Sequence, residues 1–230
     1  MNLAAADLQT ADRLAPRGQT KASLGYCLSR LDQTREAIHY YRQALDLGLT
    51  SAEVYGNLGF SYLKLHDLDK ALDCLDRAIQ LKPDFQAAHH NRARLFLLKA
   101  QAALPARKRL VGHGKRAAPS REFSASLEQG MAAAHRALEL GPRPADLYFN
   151  AACLCALAGT TIDGRLLDAA LQHLGDAVAS GYNPQNLASV AAFAPLRDRQ
   201  RFTALCASRP GAASPSETIR VVDPIGAVVP

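Results

Sequence analysis

Displaced by 34 residues, the chain falls onto itself: Leu24-Gly25 meets Leu58-Gly59, Leu31 meets Leu65, Ala37 meets Ala71, Ala44 meets Ala78 and Leu47 meets Leu81. A fixed period of this length leaves few folds open. Each unit is a helical hairpin with an apolar face that only a neighbouring unit can cover. The predicted class is therefore all-α: a right-handed α-solenoid of stacked antiparallel helical hairpins. Small residues recur where paired helices must approach closely, Gly25 with Ala37 and Gly59 with Ala71, while Tyr41 and Leu75 fill the gap to the next unit.

The register makes the 230 residues one quasi-linear array rather than a set of ordinary domains. Residues 1–17 read as a half repeat or N-terminal cap, because Ala4, Leu8, Ala11 and Leu14 mimic a second helix that lacks its first. Of the two accounts of such a start, a natural cap or the end of something longer, the second is favoured. Complete units follow at 18–51 and 52–85. In the first, one helix is predicted to end near Leu31 and the next to cover Thr34 to Leu47, with Gly48 placed for a left-handed cap. The second opens on a capping box, Thr50 with Glu53, and Asp67 can cap its partner helix. A third unit, 86–144, is interrupted by a basic insertion at 104–124. Pro105, Gly112, Gly114 and Pro119 predict a loop there, and the second helix resumes at Ser126 to Leu140 behind a capping box of Ser126 with Gln129. The fourth unit, 145–184, has its first helix from Leu147 to Ala158 and its second from Leu166 to Ser180, separated by a short insertion. Residues 185–208 form a C-terminal capping segment that closes with a helix from Asp198 to Cys206. The Pro-, Ser- and Gly-containing stretch 209–230 is a predicted disordered tail.

The net charge of +6 points toward nucleic acid only until it is located. Arg107, Lys108, Arg109, Lys115, Arg116 and Arg121 stand against Glu122 alone in the insertion, so one loop is basic and the rest of the chain is nearly neutral. That cluster makes an anionic-polymer binder acting through residues 104–124 a further alternative function, weakened by the lack of interleaved aromatics there. The start of the chain has neither a basic head nor an unbroken apolar run, and no window approaches the roughly 18 apolar residues of a membrane span, so a cytoplasmic placement is expected. Five cysteines are scattered without ligand-like spacing, which suits reduced thiols. Cys153 and Cys155 are two steps apart on a helix, a turn of about 200° that points them away from each other.

Tyr55, Leu58-Gly59, Tyr62, Ala71, Leu75, Ala78 and Pro83 all sit where the tetratricopeptide repeat expects them, and residues 52–85 closely resemble that family. The closing run, Gly181-Tyr182 with Ala194-Pro195-Leu196-Arg197-Asp198 and Arg201-Phe202, is similar to the last segment of bacterial proteins of this family, some of them fused to serine/threonine kinases. The resemblance implies a protein-interaction scaffold, or alternatively the regulatory C-terminal module of a larger bacterial signalling protein. It also implies that chosen positions of each first helix line a concave groove. Here those positions hold Asn57, Asn91 and Asn150, with Tyr26, Arg30, Phe60, Lys64, His90, Arg94 and Phe149 around them. A row of amides can pair with the backbone of an extended peptide, and the aromatic and basic rim suits an acidic partner. The repeat subgroup that grips acidic chaperone tails matches only at Asn57: Ala22, Tyr26, Ala87 and Asn91 stand where its other key residues belong.

Catalytic patterns are missing. Gly112-His113-Gly114-Lys115 lacks the upstream glycine and the hydroxyl of a phosphate loop, the seven histidines form no metal-binding helix pair, and neither a nucleophile elbow nor the kinase signatures occur. The expectation is a non-enzyme with no cofactor and no metal, a protein or peptide as partner, and no membrane.

Overall fold

The computed structural model describes residues 2–109 and 119–208. The core of the basic insertion and the predicted tail at 209–230 lie outside the described residues. Among those described there is no strand: the chain is all-α, ten α-helices with two short 3₁₀-helices near the end. It divides into two compact units, one up to Asn91 and one from Arg92.

The first unit holds α1 (Asn2–Leu14), α2 (Gly18–Arg30), α3 (Thr34–Asp46), α4 (Ala52–Lys64) and α5 (Leu68–Leu81), each packed on the next. The close approaches expected from the small residues are present. A Cβ on Gly25 would stand 2.8 Å from the Tyr41 ring, and one on Gly59 would stand 2.9 Å from Leu75 Cγ and 3.2 Å from the Ala71 carbonyl. Ala37, Tyr41 and Ala44 are fully buried, as are their counterparts Ala71, Leu75 and Ala78. Both hairpins turn through the same backbone device. After α2, the Gln33 N–H donates to the Leu28 carbonyl at 2.9 Å and the Asp32 N–H to Ser29 at 3.2 Å. After α4, Asp67 donates to Tyr62 at 3.0 Å and His66 to Leu63 at 3.1 Å. This doubly bonded ending requires a left-handed residue, and the φ angles are +62° at Asp32 and +59° at His66. Gly48 ends α3 in the same way at φ +83°. The cap of α4 is Ser51, whose Oγ accepts from the Val54 N–H at 3.2 Å, one residue beyond the predicted Thr50. Ser51 has the extended backbone that an N-cap needs, φ −136° and ψ 151°. Asp67 caps α5 as predicted.

Helix α6 (Gln86–Arg109) passes from the first unit into the second, which continues with α7 (Arg121–Leu140), α8 (Ala145–Gly159), α9 (Leu166–Ala179) and α10 (Gln200–Ala207). Here the structure departs from the predicted boundaries. The insertion is helical at both ends: α6 runs to Arg109, and α7 starts at Arg121 rather than Ser126. From Lys99 to Arg109 every residue except Pro105 is a strong helix former, which carries α6 onward. At the far end Ser120 accepts from the Phe123 N–H at 3.1 Å and Phe123 is buried, so burial of that ring fixes an earlier start. Ser126, read as a cap, is a buried mid-helix residue. Beyond α9 the chain descends through 3₁₀-helices at Pro184–Ser189 and Ala191–Leu196 before α10. These irregular turns bury Leu187, Phe193 and Leu196 completely and, with Phe202 of α10, cover the last hairpin as a terminal cap must.

His173 on α9 is half-buried, with its ring 6.2 Å from that of Tyr148 and its Nδ1 enclosed without a hydrogen-bond partner. Burial pushes its pKa below the ordinary 6.5; Asp176 opposes this and His135 adds to it. The unfolded chain therefore binds a proton that the folded ring resists, and stability is expected to fall as pH drops below about 6.5 until the folded ring itself titrates. Urea denaturation at neutral and mildly acidic pH measures this, and His173→Gln should flatten the dependence.

Candidate functional site

In the first unit, the face made by the first helices α2 and α4 carries Tyr26 and Phe60 at equal places in successive repeats. The two rings join Cys27 in one apolar cluster against Leu8 of α1. Both are largely covered, at 8% and 4% exposure. Arg30 is exposed and Lys64 half-exposed at the matching places one turn on. Lys64 is already engaged: its Nζ pairs with Asp32 in the left-handed turn of the preceding hairpin and lies 5.9 Å from the Phe60 ring centroid. That hydrogen bond holds the Asp32 carboxyl below its usual range. The pair is solvent-exposed on the Asp32 side, so it sets geometry more than stability.

The asparagines differ from the expected open ladder. Asn57 and Asn91 are 2% and 3% exposed and His90 is 3% exposed, all in the first unit; Asn150, at 9%, belongs to the second. Neither Asn57 nor Asn150 is without a partner within the chain, nor is His90. A short amide on the inner side of a first helix is reached by the neighbouring helices before solvent reaches it. Sequence spacing gives the face of a helix but not how deeply the next helix covers it.

In the second unit Arg94 is half-buried. Desolvation lowers its pKa from the ordinary guanidinium value, and Asp146 at the start of α8 opposes the shift. Phe149 stacks on Tyr182 at 4.4 Å between centroids with planes 10° apart, and meets Phe193 edge-on at 5.7 Å. Tyr182 is thus a neighbour of the candidate set. Its signal in the sequence was its place after Gly181, which ends α9 at φ +99° in the same doubly bonded turn as the first-unit hairpins.

The thiols are poor nucleophiles. Burial pushes Cys74 up to about 12 and Cys155 up to about 11, and raises Cys153 further, so thiolate is scarce at neutral pH. Among the described residues no group of three or more His, Cys, Asp or Glu is placed to hold a metal ion. No described helix is long and apolar enough to cross a membrane.

Compared with known proteins, two segments match the tetratricopeptide repeat, residues 19–47 and 52–85. Subunit CDC16 of the anaphase-promoting complex of Saccharomyces cerevisiae is 32% identical over 85 residues, covering 35% of this chain and 10% of that protein. The chain thus spans about a tenth of the length of this curated relative. Among solved structures, TTC0263, a thermophilic repeat protein of Thermus thermophilus, superposes with a TM-score of 0.58 at 20% identity over 82% of this chain and 87% of its own. YrrB, a repeat protein with an unusual peptide-binding site, gives 0.52 at 16% identity over 86% and 88%. At such identities the likeness is one of fold, and it extends over most of the chain, well beyond the two segments matched in sequence. With the 34-residue register, the buried alanines at its repeating places and the stacked hairpins all in agreement, residues 19–47 and 52–85 are tetratricopeptide repeats, and the fold is that of a tetratricopeptide-repeat solenoid.

Proposed function

We propose that the protein is a protein–protein interaction scaffold that holds an extended segment of a partner on the face made by the first helices of its first unit: α2, α4 and the start of α6. One observation carries this reading. Arg30 and Lys64 recur at equal places, each four residues after a covered ring, Tyr26 or Phe60, so successive repeats offer the same basic side chain to a chain laid across them. The buried Asn57 and Asn91 hold the first helices of this unit in place, while the cations Arg30 and Lys64 meet the ligand. An acidic segment suits this rim, since its carboxylates can replace Asp32 on Lys64 and meet the exposed Arg30 directly. The same face serves equally if the chain works as the regulatory part of a larger signalling protein such as a serine/threonine kinase.

The test starts from a partner captured with the full chain and measured by calorimetry. Arg30→Glu should weaken binding at least tenfold, about 1.4 kcal/mol. If Arg30→Glu combined with Lys64→Glu, still helical by circular dichroism, binds with unchanged affinity, the interaction surface lies elsewhere.

A further inference from the structure

The second helices of the two complete repeats leave a slot between them. Helix α4 packs against both α3 and α5, and these outer helices hardly touch each other. Two adjoining cavities of about 270 and about 460 Å³ occupy the gap and share Arg42, Tyr62 and Lys70. The floor is apolar and incompletely covered: Ile38, Leu45, Tyr62 and Cys74 are half-buried on the core beneath, and Leu65 is 42% exposed. The walls are charged unevenly. The end near Leu65 gathers Arg35, Arg42 and Lys70 against Asp67 alone, whereas the other end sets Arg42 and Lys70 against Asp46 and Asp73.

The cations are not equivalent. Lys70 is satisfied, its Nζ paired with Asp67 and 5.6 Å from the Tyr62 ring centroid. Arg35 and Arg42 are exposed and seven residues apart on α3, so they stand on one side of that helix about 10.5 Å from each other. Neither has a hydrogen bond or ion pair with any described residue, and Arg42 meets the like charge of Lys70. Two uncompensated guanidiniums beside an apolar trough are complementary to carboxylates brought from outside, next to an apolar side chain. A polyanion fits less well, because Asp46 and Asp73 repel it at the far end and the floor offers it nothing.

We propose that this slot is a second docking surface, on the opposite side of the repeats from the first-helix face, for a partner-protein segment that seats an aromatic side chain on Tyr62 and Leu45 and sets carboxylates against Arg35 and Arg42. It does not depend on the function proposed above. The probe is a short fluorescent peptide with one phenylalanine flanked by aspartates, compared with a lysine-flanked version and an alanine-for-phenylalanine version, titrated against the full chain by anisotropy. The acidic aromatic peptide should bind at least about tenfold more tightly than either control and weaken with added salt. Arg35→Glu with Arg42→Glu should remove that preference, Arg35→Gln with Arg42→Gln should reduce it, and Arg30→Glu should leave it unchanged. Equal binding of the three peptides, no binding of any, or full affinity in the folded double charge-reversal variant overturns the proposal. Loss of binding in Arg30→Glu alone places the peptide on the first-helix face, which also overturns it and leaves the proposed function standing.

Discussion

Tyr41→Ala is expected to destabilise the first unit by about 3–5 kcal/mol, the usual cost of deleting a large aromatic ring from a packed core. The ring is fully buried between Gly25 and its own hairpin, where it does for the first repeat what Leu75 does for the second. Its hydroxyl is enclosed without a hydrogen-bond partner, and burial drives its pKa well above the ordinary tyrosine value. Tyr41→Phe therefore separates ring from hydroxyl. Removing an unsatisfied buried group while keeping the ring is expected to raise stability by about 1 kcal/mol. Urea unfolding followed by circular dichroism measures both. If the phenylalanine variant is instead less stable than the parent, the hydroxyl has a partner and the account of this site is wrong.

Phe193→Ala should cost the second unit a similar amount, about 3–5 kcal/mol. Phe193 is fully buried in the closing segment and joins two neighbours, with its ring centroid 5.7 Å from Phe149 and 6.1 Å from Phe202. Truncation removes the centre of that aromatic row, leaving Phe149 stacked only on Tyr182 and α10 without its anchor. Hydrogen exchange is the discriminating measurement: protection should fall across α8 to α10 and stay unchanged in α2 to α5. A loss below about 1 kcal/mol would mean that residues 185–208 lie on the last hairpin without sealing it.

The repeat was legible because packing repeats with it. Gly25 against Tyr41 and Gly59 against Leu75 are the same contact made twice, and a contact made twice leaves a period in the sequence. What happened once was harder to read. The early start of α7 depends on one buried ring, Phe123, and the descent through two 3₁₀-helices depends on burying Leu187, Phe193 and Leu196 together. The turns at Asp32 and His66 carry no glycine to announce a left-handed residue; hairpin closure imposes it. For the candidate site, the positions were legible from the register, but the depth of Asn57, Asn91 and Asn150 depends on how neighbouring helices crowd them. The outer slot left only a faint mark, two arginines seven residues apart on the polar side of α3.

The doubly bonded turns after α2 and α4 close each hairpin with hydrogen bonds that begin and end within a few residues. Nothing remote is needed to fasten them. A chain built this way has a mechanical character: pulled from its ends, it yields hairpin by hairpin instead of failing at once. Each released unit of 34 residues pays out about 110 Å of extended chain. When the load is removed, refolding is expected to start at one hairpin and spread to its neighbours, because the apolar face of each is covered only by the next.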